Sequence, residues 1–195
     1  MVSTWLVPFL PALLVTDFLS GVVHWLEDSY GDPNSPILGK YVIAPNQLHH
    51  FEPRAFTLSP VWRRNRSLWV LVALITLGIW AAGAMSPFWV WVCFFGAISK
   101  EIHVWAHRTP RENGAIITWM QRWHIVQSPK THAVHHTNPK RESFCVMTDI
   151  MNPVLDRTRF FRHVEALIKF TTGVGVRPDP SVGPGRGDAR AQLYG

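Results

Sequence analysis

"LWVLVALITLGIWAAGAMSPFWVWVCFFGAISKEIHVWAH", Leu68–His107, carries no charged residue before Lys100 and closes on two histidines four positions apart. The run divides at Ser86 and Pro87 into two apolar stretches, Leu68–Met85 and Pro87–Ile98, the second continuing to about His107. A helix that crosses a bilayer needs roughly 20 apolar residues, with some tolerance. The short break therefore predicts a tight antiparallel hairpin that leaves one side of a membrane and returns to it. "HVWAH" falls where the chain re-emerges.

A further apolar run, Trp5–Trp25, precedes the hairpin. It lacks the basic n-region of a signal peptide and contains Asp17 and His24, so it reads as another transmembrane helix. Composition agrees. Hydrophobic residues make up 47% of the 195 and charged residues 16%, against about a quarter charged in soluble domains. Ten tryptophans suit a membrane–water interface. All nineteen Lys and Arg lie in Lys40–Arg66 or from Lys100 onward. A nucleic-acid binder would show a basic patch on a soluble fold. Here the gaps coincide with the apolar runs, so no nucleic acid is expected, and the positive-inside rule puts the basic segments in the cytoplasm. Cys93 and Cys145 sit in unlike surroundings and imply neither a disulfide framework nor a thiolate metal site.

The expected fold is an all-α integral membrane protein. It has about three transmembrane helices, a cytoplasmic histidine-rich cap and amphipathic interfacial helices. Ile116–Val126 places Ile116, Ile117, Met120 and Trp123 opposite Thr118, Gln121 and Arg122. Thr158–Phe170 places Phe160, Phe161, Val164, Leu167 and Ile168 opposite Arg159, Arg162, Glu165 and Lys169. Such helices lie on an anionic membrane or pack on their own domain, and both readings stand. The Pro- and Gly-rich tail, 179–195, is expected to be disordered.

The histidines carry the chemistry. Asp17, Gly21, His24 and Asp28 follow one another at +4, +3 and +4, one stripe of a helix. A polar stripe on a spanning helix faces the protein interior. For Asp17 alone, a buried polar network that orients helices is the favoured reading. His24 reads as a metal ligand whose ring is held by Asp28 one turn on. His49 and His50 are adjacent, bracketed by Pro45 and Pro53, and reach one cluster only from a helix end or loop. His103 and His107 share a helix face, a spacing that can chelate one ion. His132, His135 and His136 can likewise share a face. His124 stands one turn from Met120, open between a core histidine and a site residue. His163, among Arg and Glu, reads as solvated. Eight histidines exceed one mononuclear site and suggest two metals. The Glu-x-x-His motif of soluble di-iron proteins is missing. An all-histidine membrane centre typically activates O2 to abstract hydrogen from a lipid chain.

"DFLSGVVHWLEDSYG" (Asp17–Gly31), "HHFEPRAFT" (His49–Thr57), "HVWAH", "THAVHH" and "FCVMTDIMNPVLD" (Phe144–Asp156) resemble, in order and spacing, the plasmanylethanolamine desaturase family. It is also called the Kua or lipid desaturase domain family, and includes a plant branch acting on the acyl chain of phosphatidylglycerol. The resemblance runs from about Asp17 to Pro178 and implies a membrane desaturase domain over residues 1–178. It implies two iron ions, O2 and two electrons. In the ether-lipid branch the product is the vinyl ether of a plasmalogen. By position, His24, His49, His50, His103, His107, His132, His135 and His136 would be iron ligands and catalytic residues. Asp28 and His124 would support the cofactor. "QRWHIV" around His124 looks like the ether-lipid branch, whereas "VWAHRT" and "GVRPDP" look plant-like. Electrons would arrive from a cytochrome b5-like or ferredoxin-like donor. The membrane would be a bacterial inner membrane or the endoplasmic reticulum, with the histidine motifs on the cytoplasmic side. Family members are usually longer at the N-terminus, often by a span, and three spans here would leave the N-terminus outside. Two other classes fit the composition: a hydroxylase using the same centre, and a non-enzymatic metal-binding membrane protein. The featureless Leu68–Met85 run argues against a transporter.

Overall fold

The computed structural model of the chain describes residues 2–137 and 140–181. Among these the secondary structure is entirely helical. The short α1 (Val2–Leu6) leads into α2 (Phe9–Tyr30). A π-helical turn, Gly39–Ile43, feeds α3 (Ala44–Phe51), and α4 (Val61–Ala81) and α5 (Pro87–Ala106) form the expected hairpin. Then come α6 (Pro110–Arg122), α7 (Pro129–His135), α8 (Met151–Arg157) and α9 (Phe160–Thr172).

Three long helices set the frame. Trp69 Nε1 donates to the carbonyl of Ala97 at 2.9 Å, and Gly96 faces Val72, so α4 and α5 are antiparallel. α2 runs parallel to α5. Phe9 packs edge-on against Trp91 and Phe95 at one end, and the rings of His24 and His103 lie 5.5 Å apart at the other. The polar ends of all three helices therefore gather on one side. α4 begins before the apolar run because its first turns are neutralised there. Buried Arg64 donates to both carboxylate oxygens of Glu101, at 2.7 and 2.5 Å, and Asn65 donates to the same carboxylate.

Among the described residues one helix, Ser3–Tyr30, is long and apolar enough to cross a membrane. The helices α4 and α5 have 21 and 20 residues and carry charge within them, at Arg63, Arg64 and Arg66 and at Lys100 and Glu101. Leu10, Val15, Leu19, Leu71, Leu74, Trp80 and Phe94 nevertheless point outward, exposed.

The core lies in two parts. Ala12, Val92, Phe95 and Ile102 pack with Val126, Val146 and Met147 between α2 and α5. Trp25, Phe144, Cys145, Leu155 and Phe161 form the second part beneath α8 and α9. The two share the buried non-helical segment 144–148, which lies along α2. Such a segment needs partners for its backbone groups, and side chains supply them. Asp17 accepts from the amides of Met147 and Thr148 at 3.0 and 3.3 Å and from the Thr148 hydroxyl at 2.5 Å. Asn152 brackets Cys145 by accepting from its N–H and donating to its carbonyl, both at 2.8 Å. Gly21 permits the approach, because a Cβ there would stand 2.5 Å from Cys145 Sγ. The polar-network reading of Asp17 thus has a concrete form.

The amphipathic segments differ in fate. α9 turns Phe161 inward and packs Phe160, Val164 and Ile168 on the domain. α6 starts earlier than its apolar pattern predicts, on a Thr109–Glu112 capping box, and is broken at Gly114 (φ 74°). It leaves Ile116, Trp119 and Trp123 exposed. Of the tail 179–195, only 179–181 fall within the described residues, where Asp179 pairs with Lys140 at 3.1 Å. The rest of that expectation lies outside them.

Candidate metal centre

Two of the long helices, α2 and α5, deliver histidine at their polar ends, and the short helices α3 and α7 close over them. The result is two adjacent groups. Ligand atoms of His49, His103, His107, His132 and His136 all lie within 4.8 Å of one another, and so do those of His24, Asp28, His50 and His135. All eight histidines expected at the centre are present, and Asp28 stands inside the second group.

The five-histidine group is defined by Nε2 atoms. His132 Nε2 lies 2.8 Å from that of His107, 3.0 Å from that of His103 and 3.1 Å from that of His136. His103 and His107 are 3.2 Å apart at the same atoms. A hydrogen bond between two imidazoles uses one proton, so four nitrogens in mutual contact cannot all be satisfied that way. One cation satisfies all of them. Nitrogen ligands about 2.0–2.1 Å from an ion stand about 2.9–3.4 Å from one another, close to these separations.

In the second group the rings are aimed from behind. His24 Nδ1 lies 3.1 Å from the carbonyl of Phe144, and His135 Nδ1 lies 3.0 Å from that of Glu142. Those contacts put the proton on Nδ1 and leave Nε2 as a bare lone pair. Both Nε2 atoms face Asp28 Oδ2, at 3.6 and 3.2 Å, yet neither they nor that oxygen has a hydrogen-bond partner. Two lone pairs and a carboxylate oxygen, buried and unpartnered, are a ligand set for a cation. Asp28 Oδ1 is held by Asn46 at 2.6 Å and approaches His50 Nε2 at 3.0 Å. His49 Nδ1 is likewise backed by the Asn46 carbonyl.

The electrostatics keep these imidazoles ready to bind. Burial, then the neighbouring imidazoles, hold His49 and His132 well below the usual histidine range, and His136 is lowered for the same reasons. Neutral imidazole is the metal-binding form. The donor set fits iron, copper or zinc.

A model of the lipid desaturase domain matches residues 13–179. The chain belongs to this family. Its relatives include the plasmanylethanolamine desaturase of Myxococcus xanthus, 33% identical over 91% of this chain and 66% of the relative. Plasmanylethanolamine desaturase 1 of Mus musculus is 34% identical over 85% of this chain and 65% of the relative. Fatty acid desaturase 4, chloroplastic, of Arabidopsis thaliana is 30% identical over 85% of this chain and 51% of the relative. The chain thus spans about two thirds or less of these relatives' lengths. No solved structure gives a significant match.

This lipid desaturase domain does not bring every expected residue inward. His124 follows α6 with φ 54°, and its ring, 67% exposed, pairs with Asp149 at 2.5 Å away from both groups. Asp149 in turn accepts from the Ser128 amide at the start of α7. His163 is exposed, as expected. Sequence reasoning missed Asn46 and the carbonyls of Phe144 and Glu142. The carbonyls leave no residue-type signal, while Asn46 sits three residues before His49, within reach of its backing position.

Proposed function

We propose that this lipid desaturase domain is an O2-dependent di-iron desaturase of membrane lipids. Its reaction would convert the alkyl ether chain of a plasmanyl phospholipid to the vinyl ether of a plasmalogen. The observation that carries the reading is the pair of adjacent ligand groups, buried, rich in neutral imidazole and completed by one carboxylate. Two iron ions bound there would supply O2 activation and the capacity to take two hydrogens from adjacent carbons. His49, His103, His107, His132 and His136 would hold one ion, and His24, His50, His135 and Asp28 the other. The carbonyls of Phe144 and Glu142 keep Nδ1 protonated and Nε2 free. Phe56, ring to ring with His103 and His107 at 5.2 Å, keeps water from that side.

In this reading α2, α4 and α5 cross the membrane with their polar ends, and the histidine motifs, in the cytoplasm, in a bacterial inner membrane or the endoplasmic reticulum. The lipid chain enters between them from the bilayer. A cytochrome b5-like or ferredoxin-like donor docks on the basic cytoplasmic face. The ether-lipid substrate is preferred to an acyl lipid because the two plasmanylethanolamine desaturases match at 33% and 34% identity and the chloroplast enzyme at 30%.

Lipid mass spectrometry tests the proposal. The chain and its His103→Ala variant are expressed in a host that makes alkyl ether lipids and lacks plasmalogens. Acid-labile vinyl ethers are expected with the intact chain alone. A new acyl double bond would transfer the chain to the acyl-lipid reaction, and an added oxygen would make it a hydroxylase. Unchanged lipids from an iron-loaded chain supplied with a working donor would sink the desaturase reading.

A further inference from the structure

A cavity of about 360 Å³ opens beside the second ligand group. Its volume lies within the range of about 300–1,000 Å³ usual for small-molecule sites. Asp28 and His50, both of that group, form its inner end. Its wall is basic: Lys140, Arg141, Arg162 of α9 and Arg177. Among the described residues, Asp179 is the one other carboxylate lining it.

The wall is built rather than accidental. The Arg177 amide donates to the carbonyl of Ser29 at 2.8 Å and pins the segment after α9 to the end of α2. Lys140 is drawn inward, its side chain 8% exposed, and meets Asp179 at 3.1 Å. The Arg177 guanidinium rests near Asp32 at 3.4 Å, an exposed and weak pairing. Arg162 Nη2 pairs with Glu165 Oε1 at 2.6 Å, an oxygen that also accepts from Trp25 at 2.8 Å. Arg162 Nε is buried with no hydrogen-bond partner. A buried N–H without an acceptor is costly, and an anion in the cavity would supply one to Nε. Arginine's planar fork matches phosphate oxygens in pairs.

We propose that this cavity holds the phosphate of the lipid substrate, with Lys140, Arg141, Arg162 and Arg177 as its cationic wall. The inference rests on the lipid-desaturase reading above and adds a positional rule to it. A phosphate seated against Asp28 and His50 places only the uppermost carbons of the chain beside the ligand groups. The ether-linked carbons are a few bonds from the phosphate, whereas the middle of the chain is out of reach. The wall therefore selects both a phospholipid and the bond nearest its glycerol.

The test is binding, read on the metal-loaded full chain in non-ionic detergent by quenching of tryptophan fluorescence. The probes are a short-chain phosphatidylethanolamine, the diacylglycerol with the same chains, and inorganic phosphate. Arg162→Gln and the exposed Arg141→Gln are each expected to weaken phospholipid binding about tenfold, the scale of one lost hydrogen bond to a charged group. Diacylglycerol affinity and metal content should stay the same. Arg141 supports no buried contact, so its variant reads the wall even where Arg162→Gln disturbs α9. Equal losses for both lipids, or no loss for either, would overturn the proposal. Inorganic phosphate binding as tightly as the phospholipid would overturn the lipid assignment in favour of a free-anion site. Absence of desaturation with head-group selectivity intact would instead count against the catalytic reading alone.

Discussion

Asp28 shows how much a single side chain organises here. Three imidazoles converge on its carboxylate, and Asn46 fixes the carboxylate from the fourth direction. Sequence spacing makes its pairing with His24 legible, since one helical turn separates them. Its approach to His50 and His135 was not legible, because those contacts depend on how α3 and α7 fold back. Asp28→Asn is expected to lower metal affinity of the second group by about 10–100-fold while the helices persist. Metal analysis after dialysis against a graded chelator would show it, and unchanged retention would refute the assignment. pH supplies a second expectation at this scale. In the metal-free fold His49 and His132 stay neutral because burial depresses them far below 6.5. The unfolded chain takes up their protons as pH falls past that value. Stability of the metal-free chain is thus full above about pH 6.5 and declines below it, by about 1.4 kcal/mol per pH unit for each such histidine. The melting temperature in detergent should fall between about pH 7 and pH 5, and a flat profile would contradict it.

Elements were legible where one periodicity ruled. The turn of the α4–α5 hairpin, α5 and the amphipathic α9 were read within a few residues of their bounds. What failed had tertiary causes. α4 extends back to Val61 because Glu101 neutralises Arg64, a partner 37 positions away. His132, His135 and His136 divide between the two groups instead of sharing one: His132 and His136, four positions apart, stay together, while His135 turns to the other group with Nδ1 against the Glu142 carbonyl. His49 and His50 diverge in the same way from the last turn of α3. His124 leaves its expected face because the chain turns left-handed there. The segment 144–148 reads as a short apolar run, and nothing local says that Asp17 and Asn152 will carry its backbone. Gly21→Ala tests that arrangement. The added methyl meets Cys145 Sγ at 2.5 Å and its amide at 3.1 Å. Overpacking of this kind costs about 1–3 kcal/mol, read as a lower melting temperature. An unshifted melting point would mean that the contact is looser than described.

At the scale of the molecule, one end is polar and ligand-bearing while the flanks of α2, α4 and α5 are apolar and outward-facing. An exposed apolar surface of that extent needs a lipid or protein cover. The chain is expected to sediment with membranes, to resist alkaline carbonate washing and to dissolve in detergent. Release by carbonate would mean that it lies on the surface instead. α3 sends His49 to one ligand group and His50 to the other, and the α7 turn does the same with His132 and His135. If each group holds an ion, the first one captured would order both helices, and the second would find its ligands already in place. Uptake should be strongly cooperative. Native mass spectrometry during a metal titration should find empty and doubly loaded chains with few singly loaded ones, so that partial starvation for metal silences some molecules completely and spares the rest.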